Sequence, residues 1–190
     1  MPHIDFKNNF PGIRSALAYR TETAEPLGEL AEILLRDTNG LSRAERELIA
    51  MYVSHLNDCF YCDNSHGEIA VIYLNNDRQL VDEVRKNYHN ANISNKLKAL
   101  LGIAAKIQKG GKFVVSDDIE YAKENGATDL DIHDTVLIAA LFCMFNRYVD
   151  GLATTTPADL STYPARAAQI VEHGYGSHIY SALTTRTPKQ

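Results

Sequence analysis

Cys59-Phe60-Tyr61-Cys62, preceded by Glu47 and followed by His66, is the stretch of this 190-residue chain whose residue types and spacing suit chemistry. A C-x-x-C at a helix start lets two sulfurs meet at disulfide distance. The unsatisfied amides and dipole of that helix end favour a thiolate there. The thiolate, not the thiol, is the species that attacks a peroxide O–O bond or a disulfide. Cys62 and His66 are four residues apart, so on one helix they share a face. An imidazole in that place can take the thiol proton or hold the thiolate as an ion pair. Glu47 lies one element earlier, and an antiparallel return after Asn57 would bring its carboxylate beside Cys62 and His66. There it can shuttle protons or fix the imidazole tautomer.

Each of these residues also has a plainer reading. Cys59, Cys62 and His66, with His55 or Asp63 as a fourth ligand, form a conceivable zinc half-site, but a second C-x-x-C is missing. A redox dithiol is therefore preferred, with no metal and no cofactor. A solvated helix carboxylate is the ordinary reading of Glu47 taken alone, and His55 reads first as a surface histidine. Cys143, set among Leu141, Phe142, Met144 and Phe145, reads as a core cysteine. Asn146, Arg147 and Asp150 form a polar cluster after an apolar helix. They read as an exposed helix end or a subunit contact, or else as the wall opposite the cysteines.

The elements that must position these residues are helical. Leu27, Leu30, Ile33 and Leu34 recur at three- and four-residue steps, which predicts a helix from Pro26 to Arg36 after an opening one at 11–20. Ser42-Arg43-Ala44-Glu45 fits a capping box, Asn57-Asp58 breaks the helix it starts, and a return helix is predicted over 61–74. Further helices are predicted over 77–86, 94–106, 116–125, 129–150 and 165–173, with a loop at Thr154–Pro157. The tail after Gly174 is expected to fray or to dock on a partner subunit. Alternating β-branched runs are nearly absent, so the expected fold class is all-α.

Hydrophobic residues make up 45% of the chain and charged ones 23%, enough apolar material for a sizeable core. The net charge of −5 argues against a nucleic-acid surface. Apolar runs such as 136–145 are too short to span a bilayer, and the N-terminus carries no secretory pattern. A cytoplasmic protein with no membrane partner is the expectation. Without a G-x-G-x-x-G fingerprint, direct nicotinamide or flavin binding is not suggested.

At an offset of 84, Cys59 falls on Cys143, Cys62 on Asn146, His66 on Asp150 and Glu47 on Asp131, with some slippage upstream. A degenerate internal duplication is consistent with this pattern. The arrangement of Glu47, eleven residues, Cys59-x-x-Cys62, three residues and His66 resembles the active-site pattern of the AhpD and carboxymuconolactone decarboxylase superfamily. The flanking Val53-Ser54-His55-Leu56-Asn57-Asp58 is similar to its peroxidase-related, alkylhydroperoxidase-like branch. The resemblance implies one AhpD-like helical bundle over 1–190, with an active-site core at about 20–155 and a C-terminal extension at 156–190.

It also implies a thiol-dependent peroxidase acting on small organic hydroperoxides, assembled as a homo-oligomer and recharged by a dithiol redox protein. Cys62 would attack, Cys59 would resolve the sulfenic acid as a disulfide, and Glu47 and His66 would move protons. This sequence departs from the family at Tyr61, where AhpD proper has a relay histidine. His55 or the Tyr61 phenol would have to substitute. The decarboxylase branch typically lacks the cysteine pair, which disfavours decarboxylation. A non-enzymatic thiol-sensing or zinc-binding helical module is the competing reading.

Overall fold

Ser42 accepts a hydrogen bond from the Glu45 amide while the Glu45 carboxylate accepts one from the Ser42 amide, the reciprocal cap that the sequence predicts. Side-chain caps start several other helices in the computed structural model, which describes residues 1–175. The helices are α1 (Ile13–Tyr19), α2 (Thr21–Arg36), α3 (Arg43–Leu56), α4 (Phe60–Tyr73), α5 (Arg78–Asn87), α6 (Asn95–Lys109), α7 (Ser116–Glu124), α8 (Asp129–Gly151) and α9 (Tyr163–His173). No strand occurs among the described residues, so the fold is all-α. Residues 176–190 of the expected tail lie outside the described residues.

One element differs from the sequence reading. Helix α2 starts at Thr21, five residues before the proline taken as its first turn, and carries Pro26 inside. Proline there forfeits one helical hydrogen bond. Burial of Ala24 and Ala31 against the core keeps the helix in place regardless. Helix α8, at Asp129–Gly151, matches the helix expected over 129–150 and contains the apolar run 136–145. By length and composition it could cross a membrane, but half of that apolar window is buried inside the protein. Its apolarity is that of a core helix.

Helix α3 is the axis of the packing: every residue from Arg46 to Ser54 is buried. It pairs most extensively with α4, which returns antiparallel after the Asn57–Cys59 turn, and also meets α6 and α8. Helix α9 lies along α4. One charged group is sealed inside this arrangement. Arg46, fully buried, donates to the carbonyls of Leu34, Asn39 and Leu41 and pairs with Asp134 at 2.8 Å. It thereby ties the end of α2 and the following loop to α8.

The cap of α3 recurs at α8, where Thr128 and Asp131 form the same reciprocal pair at an offset of 86. That two-residue slip from 84 lies upstream of the cysteines, where slippage was expected. The parallel then ends, because α8 runs unbroken through 141–143 where the first half turns at 57–59. A duplication is not shown by these features.

Candidate active site: a buried thiol pair

Asp58 adopts a positive φ of 54°, which turns the chain between α3 and α4 and leaves Cys59 as the N-cap of α4. The Cys59 amide donates back to the Ser54 carbonyl at 3.0 Å, closing the turn. Cys62 follows in the first helical turn. Both are free thiols, Cys59 fully buried and Cys62 only 3% exposed. They pack with Tyr61, Val149 of α8 and Tyr163 of α9 in a small cluster beside the main core.

The antiparallel return brings Glu47 against His66, as expected. His66 Nδ1 lies 2.7 Å from Glu47 Oε2, and the Glu47 side chain is fully buried. The second carboxylate oxygen accepts from the Tyr175 hydroxyl at 2.8 Å, and that hydroxyl also lies 3.4 Å from His66 Nδ1. With Nδ1–H given to the carboxylate, the hydrogen bonding assigns Nε2 as the imidazole's free lone pair. Phe142 meets the His66 ring edge-on at 4.5 Å and Tyr175 stacks alongside it, so the ring orientation is set on three sides.

Cys62 is not in the state that its helix position predicts. Hydrogen bonding to Cys59 is the main cause that pushes the Cys62 thiol well above its ordinary value. Burial adds to this, as does the repulsion between two neighbouring sulfur charges, while Asn146 acts in the opposite direction. Two buried sulfurs in contact outweigh a single helix end. Cys62 therefore rests as a thiol and needs a base to become a nucleophile.

The other side of the pair is polar. Asp150, on the last turn of α8, hydrogen-bonds Cys59, and partial burial raises its carboxyl above the ordinary value. Asn146 donates to Ser54 and accepts from Asn57, which in turn accepts from Gln108. Asn57, Asn146, Arg147 and Asp150 line an open cleft on this side. Asn146 and Asp150 thus wall the cysteines rather than forming only an exposed helix end. Arg147 is exposed and donates to the Cys143 carbonyl, and Cys143 is half-buried against the main core.

Opposite this cleft, Cys62, His66, Tyr61 and Tyr175 border an apolar cavity of about 60 Å³, walled also by Leu35 and Phe142. A larger one of about 150 Å³ adjoins it, sharing Ile13, Tyr61, His66 and Tyr175 as walls. The Tyr61 ring rests against Gly12, where φ is +58° and a side-chain carbon would fall 2.2 Å from the ring. Only glycine fits that approach. Burial pushes the Tyr61 phenol up to about 12.

Of the relay candidates, Tyr61 is brought to the pair. His55 is exposed and pairs instead with Asp63 at 3.0 Å. Asp63 also accepts from Arg85 Nε at 2.7 Å, so the two residues that would complete a zinc set are engaged with each other. No cluster of three or more His, Cys, Asp or Glu suited to a metal ion occurs among the described residues. Tyr175 had no local signal, since it reaches Glu47 from 128 positions away. For Asn146 and Asp150 the only signal was their match to Cys62 and His66 in the faint repeat.

Comparison with known proteins bears on this geometry. Residues 21–85, which hold Glu47, both cysteines and His66, match the model of the carboxymuconolactone decarboxylase family. Several solved chains are similar to this one, among them two crystal structures. One is an uncharacterized peroxidase-related protein from Silicibacter sp. TM1040, 31% identical with a TM-score of 0.72, covering 81% of this chain and 78% of that one. The other, described as an alkylhydroperoxidase AhpD core and an uncharacterized peroxidase-related protein, is from Ralstonia eutropha JMP134. It is 31% identical with a TM-score of 0.72, covering 79% of this chain and 78% of its own. No curated protein matches the chain.

Proposed function

Because the chain belongs to the AhpD-like carboxymuconolactone decarboxylase superfamily, in its peroxidase-related branch, we propose that it is a thiol-dependent peroxidase reducing small organic hydroperoxides. The observation that carries this reading is the contact between two buried free thiols beside the Glu47–His66–Tyr175 assembly.

His66 Nε2 takes the Cys62 proton, and the Glu47 carboxylate stabilises the imidazolium that results. The Cys62 thiolate attacks the terminal peroxide oxygen. An S–O bond forms as the O–O bond breaks, and the departing alkoxide receives the proton from His66 and leaves as the alcohol. Cys62 is then a sulfenic acid. Cys59 attacks its sulfur while Asp150 accepts the Cys59 proton. The S–S bond forms as the S–O bond breaks, and the departing hydroxide takes the proton from Asp150 to become water. An external dithiol, supplied by a partner redox protein, reduces the disulfide and is itself oxidised. The apolar cavity at Cys62 suits the organic part of such a peroxide. The polar cleft by Asp150 suits proton exchange with water.

The test is to mix fully reduced protein with cumene hydroperoxide and follow peroxide and free thiols together. The expected result is loss of two thiols per chain as peroxide is consumed, recovery with dithiothreitol, and no comparable consumption by Cys62→Ser. Persistent peroxide with both thiols still reduced in the wild type would refute the peroxidase reading.

A further inference from the structure

The geometry points to a carboxylate-binding subsite beside the thiol pair, formed by Arg14 with Arg166 around the Tyr61 side chain, which selects hydroperoxides bearing a carboxylate. This inference rests on the peroxidase reading and names the substrate class of that site.

The larger cavity carries two guanidinium groups, Arg14 from α1 and Arg166 from α9, and no acidic residue among its described lining. The rest of its wall is largely apolar, including Ile13, Pro157 and Ile170. Arg14 lies over the Phe10 ring at 5.0 Å, which holds the guanidinium in place. Its Nε is buried and has no hydrogen-bond partner among the described residues. A buried donor left in that state costs free energy, and an acceptor arriving with a ligand removes the cost. Arg166, which donates to Gln169 on its own helix, adds a second positive charge. Both line the same cavity as Tyr61, and both charges act on its phenol.

A carboxylate is the matching group, because its planar pair of oxygens fits the guanidinium fork. Attraction of anions is local to this cavity, since the chain carries a net charge of −5. The cavity meets the Cys62 cavity along Ile13, Tyr61, His66 and Tyr175. A carboxylate at Arg14 would thus sit in a cavity that shares the Tyr61 and His66 walls with the one at Cys62. The substrate that fits is small: a carboxylate at one end, a short apolar or aromatic spacer, and the hydroperoxide at the other. The carboxylate is unchanged by the reaction and serves only to aim the O–O bond at the sulfur.

The experiment compares cumene hydroperoxide with para-carboxycumene hydroperoxide, two substrates with the same peroxide group, on the reduced full chain. Wild type should show a kcat/KM for the acid about tenfold or more above that for the neutral peroxide, as expected for one charge-assisted contact. Arg14→Gln should bring that ratio close to one, chiefly through KM for the acid, and Arg14→Lys should retain part of it. A wild-type ratio near one, or a ratio unmoved by Arg14→Gln, overturns the subsite. If neither peroxide is consumed, the peroxidase reading fails and calorimetry decides the subsite alone. Tighter binding of para-isopropylbenzoate than of para-isopropylbenzamide, weakened about tenfold by Arg14→Gln, supports it. Equal or absent binding of the two overturns it.

Discussion

Glu47 accepts two hydrogen bonds with one buried carboxylate, from His66 and from Tyr175, so removing its charge should do more than remove either donor. Glu47→Gln is expected to lower kcat/KM for peroxide by about 10²- to 10³-fold, the range of a lost acid–base partner. Tyr175→Phe keeps the His66–Glu47 bond and should cost only about tenfold. An equal loss in both would contradict this division of labour. Asp150→Asn should let Cys62 sulfenic acid accumulate, seen as a dimedone adduct by mass spectrometry, because Cys59 has lost its proton acceptor. Disulfide closure at the wild-type rate would remove Asp150 from the cycle. Because the Cys62 thiol is held above its ordinary value, the single-turnover rate should climb from neutral into alkaline pH, and a flat profile would contradict a resting thiol. Glu47, the cysteines and His66 were legible in the sequence because they sit on one hairpin, where helical spacing sets their approach. Tyr175, Asp150 and Arg14 come from other helices or loops, and only tertiary packing brings them in.

Among the elements, the ends with side-chain caps were readable. Ser42 and Ser94 each stand at a helix start and accept an amide, and their chemistry is complete within four residues. The start of α2 was not readable, because burial on the core outweighs the local cost of Pro26. Neither was Arg46, since nothing in the spacing of the sequence shows that it lies fully buried against Asp134. Asp134→Ala would strand that guanidinium, and a loss of about 3–5 kcal/mol in urea unfolding is expected. Replacing both partners, as Arg46→Met with Asp134→Leu, should recover much of it. If the double variant is as unstable as the single one, the backbone bonds of Arg46 matter more than its ion pair.

For the whole molecule, pH should act through the phenol of Tyr61. Burial raises it from 10.0 to about 12, so the folded state holds this proton more tightly than the unfolded chain. Its contribution to stability is complete below pH 10 and is lost as pH rises towards 12. Tyr61→Phe should therefore move the alkaline unfolding midpoint upward, and an unchanged midpoint would assign alkaline unfolding to other groups. A homo-oligomer remains our proposal for the assembly, and sedimentation of the full chain as a monomer would exclude it.

The stacking of Tyr175 on His66, with α9 laid along α4, has a consequence for the order in which the protein is made. A ribosome delivers both cysteines more than a hundred residues before the helix and tyrosine that cover them. Until those arrive, the nascent thiols stand without their shelter and without the full proton relay. The chain should therefore gain its reactivity late in synthesis, and its sulfurs should be most open to stray oxidation while it is still being translated.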